Sequence, residues 1–294
     1  MNSIFIRNYQ NFMLYFTFFL LWVSIQFGEF VEDSLAYVMV ISIGILHGAN
    51  DLLILSKREK KGSNFTKNLL IYISIIILCV IIYFISSFIA ILLFVLLSAY
   101  HFGEEHLSNK IAVNLRFDFF YFLAYGLLIF SLLFYQSIAD VDLIMIELTG
   151  VTFTKLQIEI TLFSSVVFLL IGSLYLVLTK RNQLKTLLKE CCYLLLLFLV
   201  FKTSSLILGF AIYFILWHSI PSIIHQIEFI SGSLDKKSIL SYVKKAMLYW
   251  LISILGLLFI YQLVPQIALF ATVVFVILFA VTAPHTWVMY KMKN

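Results

Sequence analysis

The chain has 294 residues, of which 63% are hydrophobic and only 12% are charged, and its formal net charge is +5. A soluble domain averages about a quarter charged residues, so this composition leaves too little polar surface to coat a globule and indicates an integral membrane protein. The basic residues lie in short loops, which argues against a surface that binds nucleic acid. The three cysteines form no disulfide framework and are interpreted as small core hydrophobes.

Apolar runs long enough to cross a bilayer recur along the chain, since about twenty such residues span the hydrocarbon core. Two pairs of runs are separated by only two residues, so counts of eight or nine helices stay open beside the count of ten. We predict an all-α, polytopic helical bundle that forms a single transmembrane domain over residues 1–294, with a short interfacial helix as a candidate in 137–158. The ten predicted helices are 11–27, 34–55, 68–86, 88–107, 117–136, 159–179, 189–202, 204–228, 245–263 and 266–290.

The loops between these helices alternate in charge. Acidic or neutral loops separate the basic ones, and loops rich in Lys and Arg stay in the cytoplasm. With ten helices every basic loop falls on one side, which predicts cytoplasmic termini and a multi-pass protein of the cell membrane, as in the inner membrane of a bacterium. The basic segments are 56–67, 108–116, 180–189, 229–245 and the C-terminus.

The six histidines sort onto four of the ten helices. In the predicted topology these helices run in the same direction, and each histidine lies in the cytoplasmic half of its helix or at that end. Ionisable groups at membrane depth usually mark a functional site, and a shared layer is what one metal or proton site between helices requires. The histidines are His47 on helix two, His101 and His106 on helix four, His218 and His225 on helix eight, and His285 on helix ten.

Two carboxylates follow histidines at helical spacing. Asp51 lies four residues after His47, and Glu105 lies four residues after His101, so each pair shares a helix face. Imidazoles that bind a metal usually donate their other N–H to a carboxylate or carbonyl, which makes Asp51 and Glu105 candidates for orienting ligands. Ligation by histidines with few carboxylates suits iron, copper or zinc, and the sequence does not choose among them.

Helices eight and ten each place a proline close to histidine. His218 and His225 share a face but are separated by about 10.5 Å of helix rise, so a straight helix would not bring both to one metal. Pro221 lies between them and can bend the helix. His285 follows Pro284 on helix ten.

Four motifs together resemble the Brp/Blh family of membrane-bound β-carotene dioxygenases, occur in that family's order and span most of the chain. They are His47-Gly-Ala-Asn-Asp51, the Ser98–Glu104 stretch around His101-Phe-Gly103, Trp217-His218-Ser219 and Thr282-Ala-Pro284-His285. The resemblance implies an iron(II) enzyme that cleaves all-trans-β-carotene with O₂ at its central double bond. The two retinal products would supply a rhodopsin, and the apolar substrate would bind within the lipid bilayer.

The family's ligand pattern carries over to His47, His101, His218 and position 222, which is four residues after His218. Position 222 is a serine here. Either His225 or His285 replaces the missing ligand, or the site has three histidines. We predict His225, because the family places two ligands on that helix, with His285 as the alternative.

Two other classes compete with this interpretation. Histidine-box di-iron desaturases require H-x₃-H or H-x₂-H-H boxes, which this chain lacks. The alternative outside enzymes is a membrane transporter that moves protons or a metal along the histidine layer. Transporters often carry inverted repeats, and this chain shows only a weak sign of an internal repeat.

Overall fold

The computed structural model describes residues 3–58, 65–111, 115–179, 183–263 and 270–293, and every regular element in these ranges is a helix. Two π-helical segments, Val40–Gly44 and Tyr213–Ser219, interrupt the α-helices. The α-helices are α1 (Ser3–Gln26), α2 (Glu29–Met39), α3 (Ile45–Gly48), α4 (Asp51–Arg58), α5 (Phe65–Ile85), α6 (Ser87–Leu107), α7 (Leu115–Gln136), α8 (Ile138–Thr149), α9 (Lys155–Thr179), α10 (Leu184–Thr203), α11 (Leu206–Ile212), α12 (Ile220–Ser231), α13 (Lys236–Leu263) and α14 (Phe270–Lys293).

The predicted all-α, multi-pass class is confirmed. Among the described residues, seven helices are long and apolar enough to cross a membrane, when each run interrupted by a π segment is counted as one. Three of the ten predicted helices, 11–27, 189–202 and 266–290, are not among the seven, so ten spans and cytoplasmic termini stay predictions. The seven are Glu29–Arg58, Phe65–Ile85, Ser87–Leu107, Phe117–Gln136, Lys155–Thr179, Leu206–Ser231 and Lys236–Phe259.

The predicted short helix agrees with the structure, whereas the interpretation of the cysteines agrees only in part. Helix α8 lies within the 137–158 loop, where a short helix is predicted. The start of the tenth predicted helix, 266–269, lies outside the described residues. All three cysteines are free, but only Cys79 is buried, so the interpretation as core residues is wrong for Cys191 and Cys192. Those two lie on a face of α10 that points away from the bundle.

Helix α6 lies at the centre of the bundle and packs against α5, α7, α8 and α14. Its closest neighbour is α7, and glycines allow the two backbones to touch. A Cβ on Gly103 would lie 1.9 Å from the carbonyl oxygen of Phe122, and a Cβ on Gly126 would lie 1.9 Å from that of Ala99. Small residues let membrane helices approach in this way, and here the two glycines bring the backbones of α6 and α7 into contact.

The two π segments pack against each other near the middle of the bundle. Gly44 makes this possible, because a Cβ there would lie 2.9 Å from the ring of Phe214. Short π segments inside α-helices occur frequently at functional sites. His47 follows the first segment after three residues, and His218 lies within the second.

A buried ionic network joins α6 to α10. His106 Nε2 lies 2.6 Å from Glu190 Oε2, and Lys110 Nζ lies 2.9 Å from Glu190 Oε1. The ring of His106 also stacks on Tyr125 with centroids 5.0 Å apart. Charged groups inside a membrane protein need partners, so the contacts of Glu190 with Lys110 and His106 hold α10 against the end of α6.

Gly103→Ala should destabilise the protein, because its methyl group would meet backbone that cannot rotate away. Overpacking typically costs about 1–3 kcal/mol. We expect a lower midpoint of thermal unfolding in detergent than for the wild type. Gly256→Ala is the matched control, since nothing lies within 4 Å of a Cβ at that position. Equal midpoints for the two variants would contradict the close contact between α6 and α7.

Candidate metal centre

Three histidines from distant parts of the chain meet inside the bundle. His47 on α3, His101 on α6 and His285 on α14 each offer one ligand atom, and these atoms all lie within 4.8 Å of one another. The ring centroids of His47 and His285 are 4.3 Å apart, and those of His101 and His285 are 5.3 Å apart. All three side chains are buried. The spacing is short enough for one ion to be shared.

His218 adjoins this group from the second π segment. Its ring centroid lies 4.8 Å from that of His101 and 5.1 Å from that of His47, and it is only 1% exposed. The structure therefore brings together three of the four sequence-predicted ligands, His47, His101 and His218. The fourth member of the observed group is His285, the sequence alternative.

Six of the eight imidazole nitrogens of this group are buried without a hydrogen-bond partner. Both ring nitrogens of His47 and of His101, Nδ1 of His218 and Nε2 of His285 are buried without one. The great majority of buried polar atoms in proteins are paired, and an unpaired one costs about 1–3 kcal/mol. Three of these rings lie within reach of one ion and His218 adjoins them, which fits a bound metal ion, and an all-imidazole set suits iron, copper or zinc.

Asp51 supports His285 rather than His47. Its Oδ1 lies 2.8 Å from His285 Nδ1, and its Oδ2 accepts a hydrogen bond of 3.1 Å from the Tyr72 hydroxyl. The expected pairing with the histidine four residues earlier fails because a turn at 49–50 ends α3 before Asp51 begins α4. A carboxylate on Nδ1 fixes the ring so that Nε2 faces the other histidines.

His225 and Glu105 pair with each other outside the histidine group. His225 Nδ1 lies 2.6 Å from Glu105 Oε1, and the His225 side chain is 23% exposed. Two turns of α12 carry it away from His218, as the rise of a helix requires. None of the ring contacts among the described histidines joins it to the group, so we place His285, not His225, in the candidate set.

Lys293 completes the surroundings of Glu105. Its Nζ lies 3.1 Å from Glu105 Oε2 and 3.3 Å from Glu104 Oε2. Burial lowers the pKa of Lys293, but the two carboxylates raise it more, so its pKa lies above the ordinary value. Glu105, expected to orient His101, is instead held between a histidine and a lysine.

A polar network that the sequence did not predict orients the backbone of His47. Gln226 donates to the carbonyl oxygen of His47 at 3.1 Å and to Ser222 Oγ at 3.2 Å. The hydroxyl of Tyr242 donates to Gln226 Oε1 at 2.7 Å, and Asn50 Nδ2 donates to the carbonyl of Tyr242 at 3.1 Å. The available signal was an amide side chain, Gln226, within an apolar helix. Ser222, at the position of the family's fourth ligand, is a fully buried member of this network.

Comparison with known proteins agrees with this geometry. The family model described as beta-carotene 15,15'-dioxygenase matches residues 38–293, which include all four clustered histidines. The chain belongs to the β-carotene 15,15'-dioxygenase family. No curated protein and no solved structure matches the chain. Membership identifies the protein as an enzyme of this dioxygenase family and confirms the resemblance seen in the four motifs, which argues against the transporter alternative.

His285→Ala should lose bound metal, whereas His225→Ala should retain it. Removing a ligand costs more than removing an outer partner, so we expect at least about a tenfold fall in affinity for His285→Ala. The measurement is metal content by mass spectrometry after equilibration of each detergent-solubilised variant with metal. A filled His285→Ala together with an empty His225→Ala would return the fourth ligand to α12.

Proposed function

We propose that the protein is an iron-dependent oxygenase that cleaves all-trans-β-carotene at its central double bond with O₂ to give two molecules of all-trans-retinal. The observation that carries the proposal is the group of four buried histidines with unpartnered nitrogens inside the segment matched by the family. His47, His101, His218 and His285 would hold Fe²⁺. Iron supplies the redox chemistry that lets O₂ react with a carbon–carbon double bond.

An apolar cavity of about 90 Å³ lies beside the histidines and suits a section of a polyene. Aromatic side chains join it to the group. Phe130, in its wall, stacks on Phe102 with centroids 5.6 Å apart, and Phe102 lies 4.3 Å from the ring of His218. Apart from the Tyr37 hydroxyl, every side chain in the wall is apolar: Val40, Ile91, Val95, Phe130, Leu133, Phe134, Val141, Ile144, Met145, Leu148, Phe153, Leu206, Ile207, Phe210 and Leu278.

The four helical runs that carry the histidines also supply half of the cavity wall, and most of the rest comes from α7 and α8. Each histidine follows a wall residue after six to eight positions: Val40 before His47, Val95 before His101, Phe210 before His218 and Leu278 before His285. At 1.5 Å per residue this spacing is roughly 9–12 Å. A polyene in the cavity would therefore point its chain toward the histidines, between the helices that carry them.

The proposed reaction requires little acid–base catalysis by the protein. The central double bond breaks, two carbonyl groups form, and each takes one oxygen atom of O₂, so no proton enters or leaves. The nearby carboxylates are already engaged: Asp51 accepts from His285, and Glu105 pairs with His225 and Lys293. The chain's own residues would position the polyene, exclude water and hold the imidazoles neutral and oriented.

The surroundings of such an enzyme follow from its substrate and product. β-Carotene is entirely apolar and is most cheaply taken from the bilayer, which agrees with a multi-pass helical protein. Retinal also partitions into lipid, so a retinal-binding rhodopsin in the same cell membrane is the acceptor we propose.

Expression in a bacterial strain that accumulates β-carotene should bleach the cells and yield retinal as the product. Extracts would be analysed by chromatography against retinal standards, with His101→Ala expressed to the same level as the inactive control. Apocarotenals of unequal length would support an oxygenase that cleaves a different double bond. No product from folded, metal-loaded protein would contradict the proposed function.

Val95→Phe should lower retinal formation by about tenfold or more while bound metal stays unchanged. The larger side chain fills the cavity, and a small displacement of the reacting bond is enough to cost that much. The matched control is Val80→Phe, because Val80 is 41% exposed on the outer face of α5. Unchanged activity in Val95→Phe would place the polyene elsewhere.

A further inference from the structure

A second cavity, of about 200 Å³, lies on the other side of the histidine group, and its largely apolar wall carries several ionisable side chains. Its wall includes Glu105, His106, Asn109, Lys110 and His225. Along α6 and α12 these residues follow the clustered histidines, whereas the wall of the apolar cavity precedes them. Glu105 comes four residues after His101, and His225 comes seven after His218. The histidine group thus has a cavity with almost no polar groups on one side and a cavity with ionisable groups on the other.

The buried position of the histidines raises the question of how a metal ion reaches them. None of the four is more than 4% exposed. Passage through the apolar cavity would strip a divalent ion of water without replacement, at a cost far above that of any polar path. The second cavity offers a carboxylate and an imidazole, Glu105 and His225, which are both ligands for divalent transition metals.

Glu105 is the group that connects this cavity to the histidines. Its side chain is only 1% exposed, and its Oε1 meets His225 at the cavity wall. Its position one helical turn beyond His101 places the carboxylate beside the metal site without joining it. Lys293 Nζ lies 3.1 Å from the other oxygen of Glu105. An arriving cation would therefore replace the ammonium group of Lys293 as the partner of this carboxylate.

The other charged groups around the cavity are already balanced. Lys110 is paired with Glu190 at 2.9 Å, and Lys293 also contacts Glu104 at 3.3 Å. Glu104 and Glu105 share the single ammonium group of Lys293, so the two carboxylates carry one negative charge more than that ammonium balances. This is the arrangement by which a charged cleft raises the local concentration of an ion.

We propose that the second cavity is the route by which a divalent metal ion enters the four-histidine site, with Glu105 and His225 as its transient ligands. The proposal rests on the proposed function, because it takes the four histidines as a metal centre. It gives His225 a role in loading the site.

The test is the rate of metal uptake by the full-length apo-protein. Metal-free protein in detergent is mixed anaerobically with Fe²⁺, samples are passed rapidly over a chelating column, and protein-bound iron is counted against time. We expect Glu105→Gln to slow uptake by about tenfold and to reach the wild-type plateau. His225→Ala and Ile224→Trp, which fills the cavity without removing a charge, should also slow uptake and reach that plateau.

Glu228→Gln is the matched control, because it removes a carboxylate from α12 close to His225 but does not line the cavity. It should load at the wild-type rate. Wild-type uptake rates in Glu105→Gln and Ile224→Trp would overturn the route. A lowered plateau of bound iron at an unchanged rate would also overturn it, because Glu105 would then contribute to metal affinity and not to metal entry. Failure of the wild type itself to bind iron would instead remove the proposed function on which the route depends.

Discussion

Imidazole groups buried among apolar helices need partners, and this constraint governs the arrangement of the site. Four rings lie together, and six of their eight nitrogens are buried without a backbone or side-chain partner. Hydrocarbon surroundings offer no water to satisfy them, so an ion is the partner that this arrangement suits. The neighbouring contacts serve the same end: Asp51 fixes one ring of the group, and Gln226 fixes the backbone beneath another.

The sequence predicted the helical class and most of the site, because both depend on patterns that are local or repeated. Long apolar runs indicate membrane helices whatever their packing. Histidines that sort by helix and by depth indicate a shared layer, and His47, His101 and His218 do meet. The choice of the fourth histidine depended on how α14 packs against the other helices. The spacing of residues along α12 carries no information on that packing.

The remaining differences arise where the backbone departs from a regular helix. A four-residue spacing predicts a shared face only if the helix is continuous, and the turn after Gly48 moves Asp51 to a different neighbour. The π segments likewise shift which side of each helix faces inward. The Gln226–Tyr242 contact joins residues from two helices, so only the packed structure displays it.

Because α14 supplies His285, the site depends on a residue 238 positions after His47 along the chain. Membrane helices are inserted one after another during synthesis, so the first three histidines would wait in the bilayer without their fourth partner. Until α14 docks, Asp51 also lacks the imidazole that it orients. Docking of α14 therefore completes the candidate histidine group and gives Asp51 its imidazole partner in the same step.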